Sequence, residues 1–275
     1  MVERLRHAIE KAREQRGEAE TPSSSHAKPR VEPVSAPEEP GVWEALEEIN
    51  LDPEHLASSR VVTLEKTDPA HIPFDLLRTR LVKVLRDNGW RRVAVTSASK
   101  GCGKTMVSTN LAFSFARQTD FKSLLVDMDM RAPHVASTLG VRNAPNIAWY
   151  LSGRSPLEGY LRRYGRNLAL ALNRERVRDS AEMIHDEQTG RMLNEMIEKL
   201  DPDVVIYDLP PMLVGDDAMA FLPKVDCTLL VAAAGQTTAR EIEDCERLFS
   251  GQTNFLGVLL NKSTTSINRE GYEYA

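Results

Sequence analysis

RVAVTSASKGCGKTMVSTN, residues 92–110, joins an apolar run to a glycine-rich turn and then to a helical pattern. Strand, glycine turn and helix in that order form a phosphate-binding loop, because the turn points backbone N–H groups inward and the helix start adds the positive end of its dipole. Gly101 and Gly103 permit the tight turn, Lys104 can reach the β- and γ-phosphates of a nucleotide, and the Thr105 hydroxyl can ligate Mg²⁺. The first glycine of the usual G-x-x-x-x-G-K-T spacing is replaced by Ala98. That change leaves the amide cradle of residues 101–105 in place. Cys102 sits between the two glycines, beside Lys104 and a helix start, both of which lower a thiol pKa.

Working outward, further apolar runs at 123–127, 168–172, 203–208, 228–233 and 256–261 alternate with helical patterns near 74–87, 104–118, 181–200 and 237–249. Strands that are apolar throughout, separated by amphipathic helices, predict an α/β three-layer P-loop NTPase fold with a mainly parallel central sheet and helices on both faces. Two of the strands end in acids. SLLVDMDMRAP carries Asp127 and Asp129, and DVVIYDLPP carries Asp208. Ligands bind at the C-terminal ends of strands in such sheets. Asp127 and Asp208 are therefore candidate metal partners with Thr105, and Asp129 is a candidate proton acceptor. Asn261, at the end of the last strand, is a candidate contact to the nucleotide base.

The bulk numbers set limits. The chain has 275 residues, 41% hydrophobic and 27% charged, with a net charge of −5, which argues against a nucleic-acid binder. Three cysteines suit reduced thiols and a cytoplasmic location better than a disulfide framework. No run is long and apolar enough for a membrane span, and the N-terminus lacks the apolar core of a secretory signal. Residues 1–17 read as an amphipathic helix. Residues 18–60 read as a mostly disordered Pro/Ser/Glu-rich linker with a short helical patch around Trp43, Leu46 and Ile49. The folded domain is expected over 61–265, with a tail over 266–275.

Taken together, TSASKGCGKT, LLVDMDMRAP and VVIYDLPP resemble the three nucleotide motifs of the bacterial tyrosine kinases of capsule and exopolysaccharide synthesis. These kinases are deviant P-loop ATPases related to the partitioning and division-site ATPases. NIAWYLSGRSPLEGYL and SAEMI resemble further family segments. Ser99 stands where the partitioning branch has its signature lysine, with Lys100 one place off register, which favours the kinase branch. The resemblance implies ATP and Mg²⁺ as cofactors. It implies nucleotide contacts from Ser99, Lys100, Gly101, Cys102, Gly103, Lys104, Thr105, Met106 and Arg131, and Lys104, Asp127, Asp129 and Asp208 as catalytic residues. It also implies tail tyrosines as acceptors, a homo-oligomer, and a membrane-spanning polysaccharide co-polymerase as activator and recruiting partner. The family's dense tyrosine cluster is reduced here to Tyr272 and Tyr274. Its ring-forming E-x-x-R-x-x-R helix keeps Arg78 but has Ile72 and Asp75 at the other places. The rival reading is a nucleotide-switched ATPase that phosphorylates nothing, or a nucleotide-binding partner of a membrane co-polymerase.

Overall fold

The computed structural model describes residues 41–65 and 68–263. The expected helix over 1–17, the first part of the linker, and the tail with Tyr272 and Tyr274 lie outside the described residues.

Six parallel strands make the body of the sheet: β2 (Arg92–Ser97), β3 (Ser123–Asp127), β5 (Leu168–Ala171), β6 (Val204–Asp208), β7 (Cys227–Ala233) and β8 (Asn254–Asn261). With β1 (Glu47–Glu48) and β4 (Leu161–Tyr164) added, the order is β1-β4-β5-β3-β6-β2-β7-β8, and only the β4/β5 pair is antiparallel. β2 lies centrally, between β6 and β7, so the loop that follows it opens at the middle of the sheet's C-terminal edge.

Period-2 alternation explains why the strands are apolar throughout. Leu124, Val126, Val205 and Tyr207 face one core. Val93, Val95, Leu125, Val204 and Ile206 face the other. The long helix α3 (His71–Asn88) and the loop helix α4 (Lys104–Ala116) lie on this second face, where Leu81, Leu85, Val107 and Leu111 are buried. Asp75 of α3 accepts from the Ser114 hydroxyl at 2.7 Å and pairs with Arg78 and Arg117, while Arg78 donates to the Ser114 carbonyl at 2.7 Å. The residues at two positions of the ring-forming motif are thus committed to joining α3 to α4 within the chain.

The segment expected as linker up to residue 60 is folded from Gly41 onward. Helix α1 (Val42–Ala45) buries Trp43, whose indole N–H donates to the Leu200 carbonyl at 2.8 Å. β1 adds to the sheet edge, and α2 (Pro53–Ser58) buries Leu56 after an Asp52 cap. The reason is local: Trp43, Leu46 and Leu56 supply enough apolar surface to outweigh the ordering entropy that keeps a polar linker unfolded. Trp43→Ala is expected to destabilise the domain by about 3–5 kcal/mol. The measurement is a fall in the urea midpoint without a change in slope.

The predicted helix over 181–200 is two helices, α7 (Ser180–His185) and α8 (Glu187–Leu200). Asp186 leaves helical geometry and its side chain accepts from the Gln188 amide, capping α8. Short helices α5 (Val135–Thr138), α6 (Ile147–Leu151) and α9 (Asp217–Phe221) fill the loops after β3 and β6, and α10 (Ala239–Phe249) precedes β8. Among the described residues no helix is long and apolar enough to cross a membrane.

Candidate nucleotide site

The loop between β2 and α4 has the conformation its glycines predict. Gly101 and Gly103 both have positive φ, 78° and 92°. A Cβ at Gly103 would also displace the Asn261 side-chain amide that packs against it. Asn261 Nδ2 donates to the Cys102 carbonyl at 2.8 Å, and Gln236 Nε2 donates to the Lys100 carbonyl at 2.8 Å. Ala98, the replaced glycine, is fully buried, and its carbonyl accepts from the Leu213 amide at 3.1 Å. The loop is thus held by β8, by the turn after β7 and by the proline loop after β6. Helix α4 starts at Lys104, so the amides of Lys104, Thr105 and Met106 have no intrahelical acceptor and remain free for an anion.

Five of the predicted residues come together here. Lys104 Nζ donates to Asp129 Oδ2 at 2.7 Å and lies 3.7 Å from Asp208 Oδ2. The Thr105 hydroxyl donates to Asp208 Oδ2 at 2.6 Å. Asp127, on the strand beside β6, is aimed by two amides, Asp129 N at 3.2 Å and Val135 N at 3.1 Å. Two carboxylates share one ammonium with Asp127 close behind, and Lys104 and all three acids are buried. Burial, then the neighbouring Asp208 charge, push the Asp127 carboxyl well above the usual carboxylate range. Burial also raises Asp208, against the pull of Lys104. Burial works to lower the Lys104 pKa, but the Asp208 and Asp129 charges outweigh it and leave the lysine above its ordinary value.

This excess of negative charge, with a helix-start hydroxyl among oxygen donors, suits a hard divalent cation carried in by a nucleotide. Such a Mg²⁺ keeps water and phosphate oxygens and takes only one or two protein ligands. Among the described residues no cluster of three acidic, histidine or cysteine side chains forms a metal cage made of protein alone.

Other predicted residues stand outside the cluster. Arg131 is engaged by Asp217, with Nε to Oδ2 at 2.6 Å and Nη2 to Oδ1 at 2.7 Å. The Ser99 carbonyl accepts from the Ser97 hydroxyl, and Met106 is half-buried on α4. Cys102 is buried. Burial works to raise its thiol pKa, but hydrogen bonds from Thr237 and Ser99 prevail and hold it below the ordinary value. Burial pushes Cys227 up to about 12 and Cys245 up to about 11. At pH 8 Cys102 is therefore expected to be the first of the three alkylated by iodoacetamide, as read by peptide mass spectrometry. Equal labelling of all three would contradict this ranking.

Sequence reasoning missed Ser108, whose hydroxyl donates to Asp208 Oδ1 at 3.2 Å, although its spacing of four from Lys104 puts both on one helix face. It also missed Asn173, whose Nδ2 donates to the Asp127 carbonyl at 2.8 Å, and Asp217, for which no local signal exists.

Residues 93–273 match the model of the CobQ/CobB/MinD/ParA nucleotide-binding domain. The tyrosine-protein kinase CpsD of Streptococcus pneumoniae serotype 4 is 32% identical over 65% of this chain and 79% of its own length. The chain belongs to the CobQ/CobB/MinD/ParA nucleotide-binding family, in its tyrosine-protein kinase branch. The tyrosine-protein kinase Etk of Escherichia coli K12 is 30% identical over 67% of the chain, which spans only 25% of Etk. The solved kinase domain of E. coli Etk superposes with a TM-score of 0.65 at 26% identity, covering 78% of this chain and 84% of that one.

Proposed function

We propose that this chain is a protein-tyrosine kinase that transfers the γ-phosphoryl group of ATP to tyrosine and so regulates the synthesis or export of capsular or exopolysaccharide. The observation that carries this reading is the convergence of Asp127, Asp129 and Asp208 on Lys104 and Thr105 at the mouth of the glycine loop. Its kinship with CpsD and Etk supports the choice of tyrosine as acceptor.

Each residue has a part. The amides of the loop and of the first turn of α4 hold the phosphates, and Lys104 turns from the carboxylates to the transferring group. Thr105 and Asp208, with Asp127 behind them, would hold the metal. Mg²⁺, when bound, neutralises charge on the β- and γ-phosphates. Asp129, released by Lys104, accepts the phenol proton, since a tyrosine with a pKa near 10 needs an acceptor at neutral pH. Tyr272 and Tyr274 are the proposed acceptors within the chain. Each added phosphate brings roughly −1.5 to −2 charges, which would repel neighbouring copies in a homo-oligomer. A membrane-spanning co-polymerase is the proposed activator, placing the kinase at the inner face of the membrane.

The test is incubation with Mg·ATP followed by mass spectrometry. Phosphotyrosine at Tyr272 or Tyr274, absent from a Tyr272→Phe, Tyr274→Phe double variant that still binds ATP, is the expected result. ATP hydrolysis with no phosphotyrosine, on the chain or on an added Glu/Tyr copolymer, would favour the nucleotide-switched ATPase instead.

A further inference from the structure

Asp217 is an acid the kinase reading does not use, yet its environment is specific. Its side chain is 3% exposed, and both of its oxygens are taken by the Arg131 guanidinium. The Ser180 hydroxyl at the start of α7 donates a third bond, to Oδ2 at 2.9 Å. Asp216, exposed beside it, adds a longer contact to Arg131 at 3.2 Å. A bidentate pair with one buried partner fixes direction as well as distance.

The two residues come from the two loops that carry the catalytic acids. Arg131 lies two positions after Asp129, in a turn closed by the Ala132 amide, which donates to both the Asp129 carbonyl and Oδ1 at 3.1 Å. Asp217 ends the loop that starts at Asp208 and is pinned beneath the glycine loop by Met212 N to Ser97 O at 2.8 Å. The same two loops are joined a second time at their inner ends, where Lys104 reaches both Asp129 and Asp208. The loops are therefore bridged by two ion pairs, one inside the site and one outside it.

On the reading given above, Lys104 turns from the carboxylates to the phosphates, which gives up the inner bridge. We propose that Asp217 is a positioning residue. Through Arg131 it keeps the Asp129 turn in register with the Asp208 loop once Lys104 has moved to the nucleotide. This rests on the reading of Lys104 and Asp129 given above. The outer bridge stands outside the Lys104 cluster with its guanidinium engaged by Asp217, so its loss is expected to act on turnover more than on nucleotide affinity.

The experiment compares Asp217→Asn, Arg131→Gln and the double variant in the full chain. Turnover of Mg·ATP is read as phosphotyrosine and as released phosphate, and affinity is read with a fluorescent ATP analogue. Each single change is expected to lower kcat by about 10–100-fold with the dissociation constant within about threefold, and the double variant should be no worse than the weaker single. Arg131 is half-exposed, so its variant should fold even if the Asp217 change costs stability. A kcat within about threefold of wild type for Arg131→Gln would overturn the proposal, as would losses that multiply in the double variant. A purely structural role would lower the melting temperature and leave kcat below that temperature intact. Should wild type hydrolyse ATP without forming phosphotyrosine, the kinase reading fails while the bridge is still tested on hydrolysis. A wild type that turns over no ATP at all would sink both.

Discussion

Replacing Lys104 by methionine is expected to reduce Mg·ATP turnover by about 10²–10³-fold and to destabilise the nucleotide-free protein at pH 7. The first effect follows from removing the charge that meets the transferring phosphate. The second is a property of the site at rest. Lys104 pairs with buried Asp129 and Asp208, with the Asp127 charge nearby, and its pKa stands above the ordinary lysine value. A group raised in this way stabilises the fold at every pH below its unfolded pKa of about 10 and ceases to do so only as it deprotonates. At neutral pH its contribution is fully present, and removing one partner of a buried pair costs about 3 kcal/mol. The deficit should shrink as the pH falls from 7, because Asp127 and Asp208, raised by burial, take up protons before an ordinary carboxylate does. Thermal melts of wild type and variant as the pH is lowered make the check. A gap that does not change with pH would contradict the shared-charge account.

Asp208→Asn should impair turnover as severely and yet raise the melting temperature. Asparagine retains the shape of the side chain and can exchange hydrogen bonds with the Thr105 and Ser108 hydroxyls, which rotate to suit. It removes one of the buried carboxylates gathered around a single lysine, a group whose charged form burial disfavours. A gain of about 1 kcal/mol corresponds to about 2–4 °C for a domain of this size. Loss of the carboxylate removes the proposed hold on the metal, for a further expected loss of about 10²–10³-fold in turnover. Opposite signs of stability from two equally inactive variants would mark a site built for a ligand at the expense of the empty fold. A lower melting temperature for Asp208→Asn would show that its pairing with Lys104 outweighs the cost of burying the charge.

How much of this was legible in the sequence depended on where charge sits. β2, β3, β6 and β7 are read from their apolar runs because both faces of the central sheet are covered, and their acids and glycines stand out at the ends. β1 and β4 escaped because they read Glu-Glu and Leu-Arg-Arg-Tyr. Their charges make sense only across the pair, where Glu47 lies beside Arg162 and Glu48 beside Arg163, with ion pairs of 3.1 and 3.0 Å. Asp186 hid a helix break for a similar reason, since a cap is recognised from the amide it accepts and not from its residue type. The site followed the same division. Lys104, Thr105 and the three acids lie at motif positions and do meet. Arg131 lies at a motif position too, but its partner sits 86 residues away in the chain, and no spacing announces it.

The bond from Asn261 to the Cys102 carbonyl joins the last residue of β8 to the floor of the glycine loop. Only two described residues, Lys262 and Ser263, follow it. The loop and the exit of the chain from the sheet are therefore mechanically one part. The Asn261 carbonyl also accepts from the Ala234 amide at 2.9 Å, so the end of β8 is tied at once to the turn after β7 and to the loop. An occupant that reshapes the loop is therefore felt at the last residue of β8.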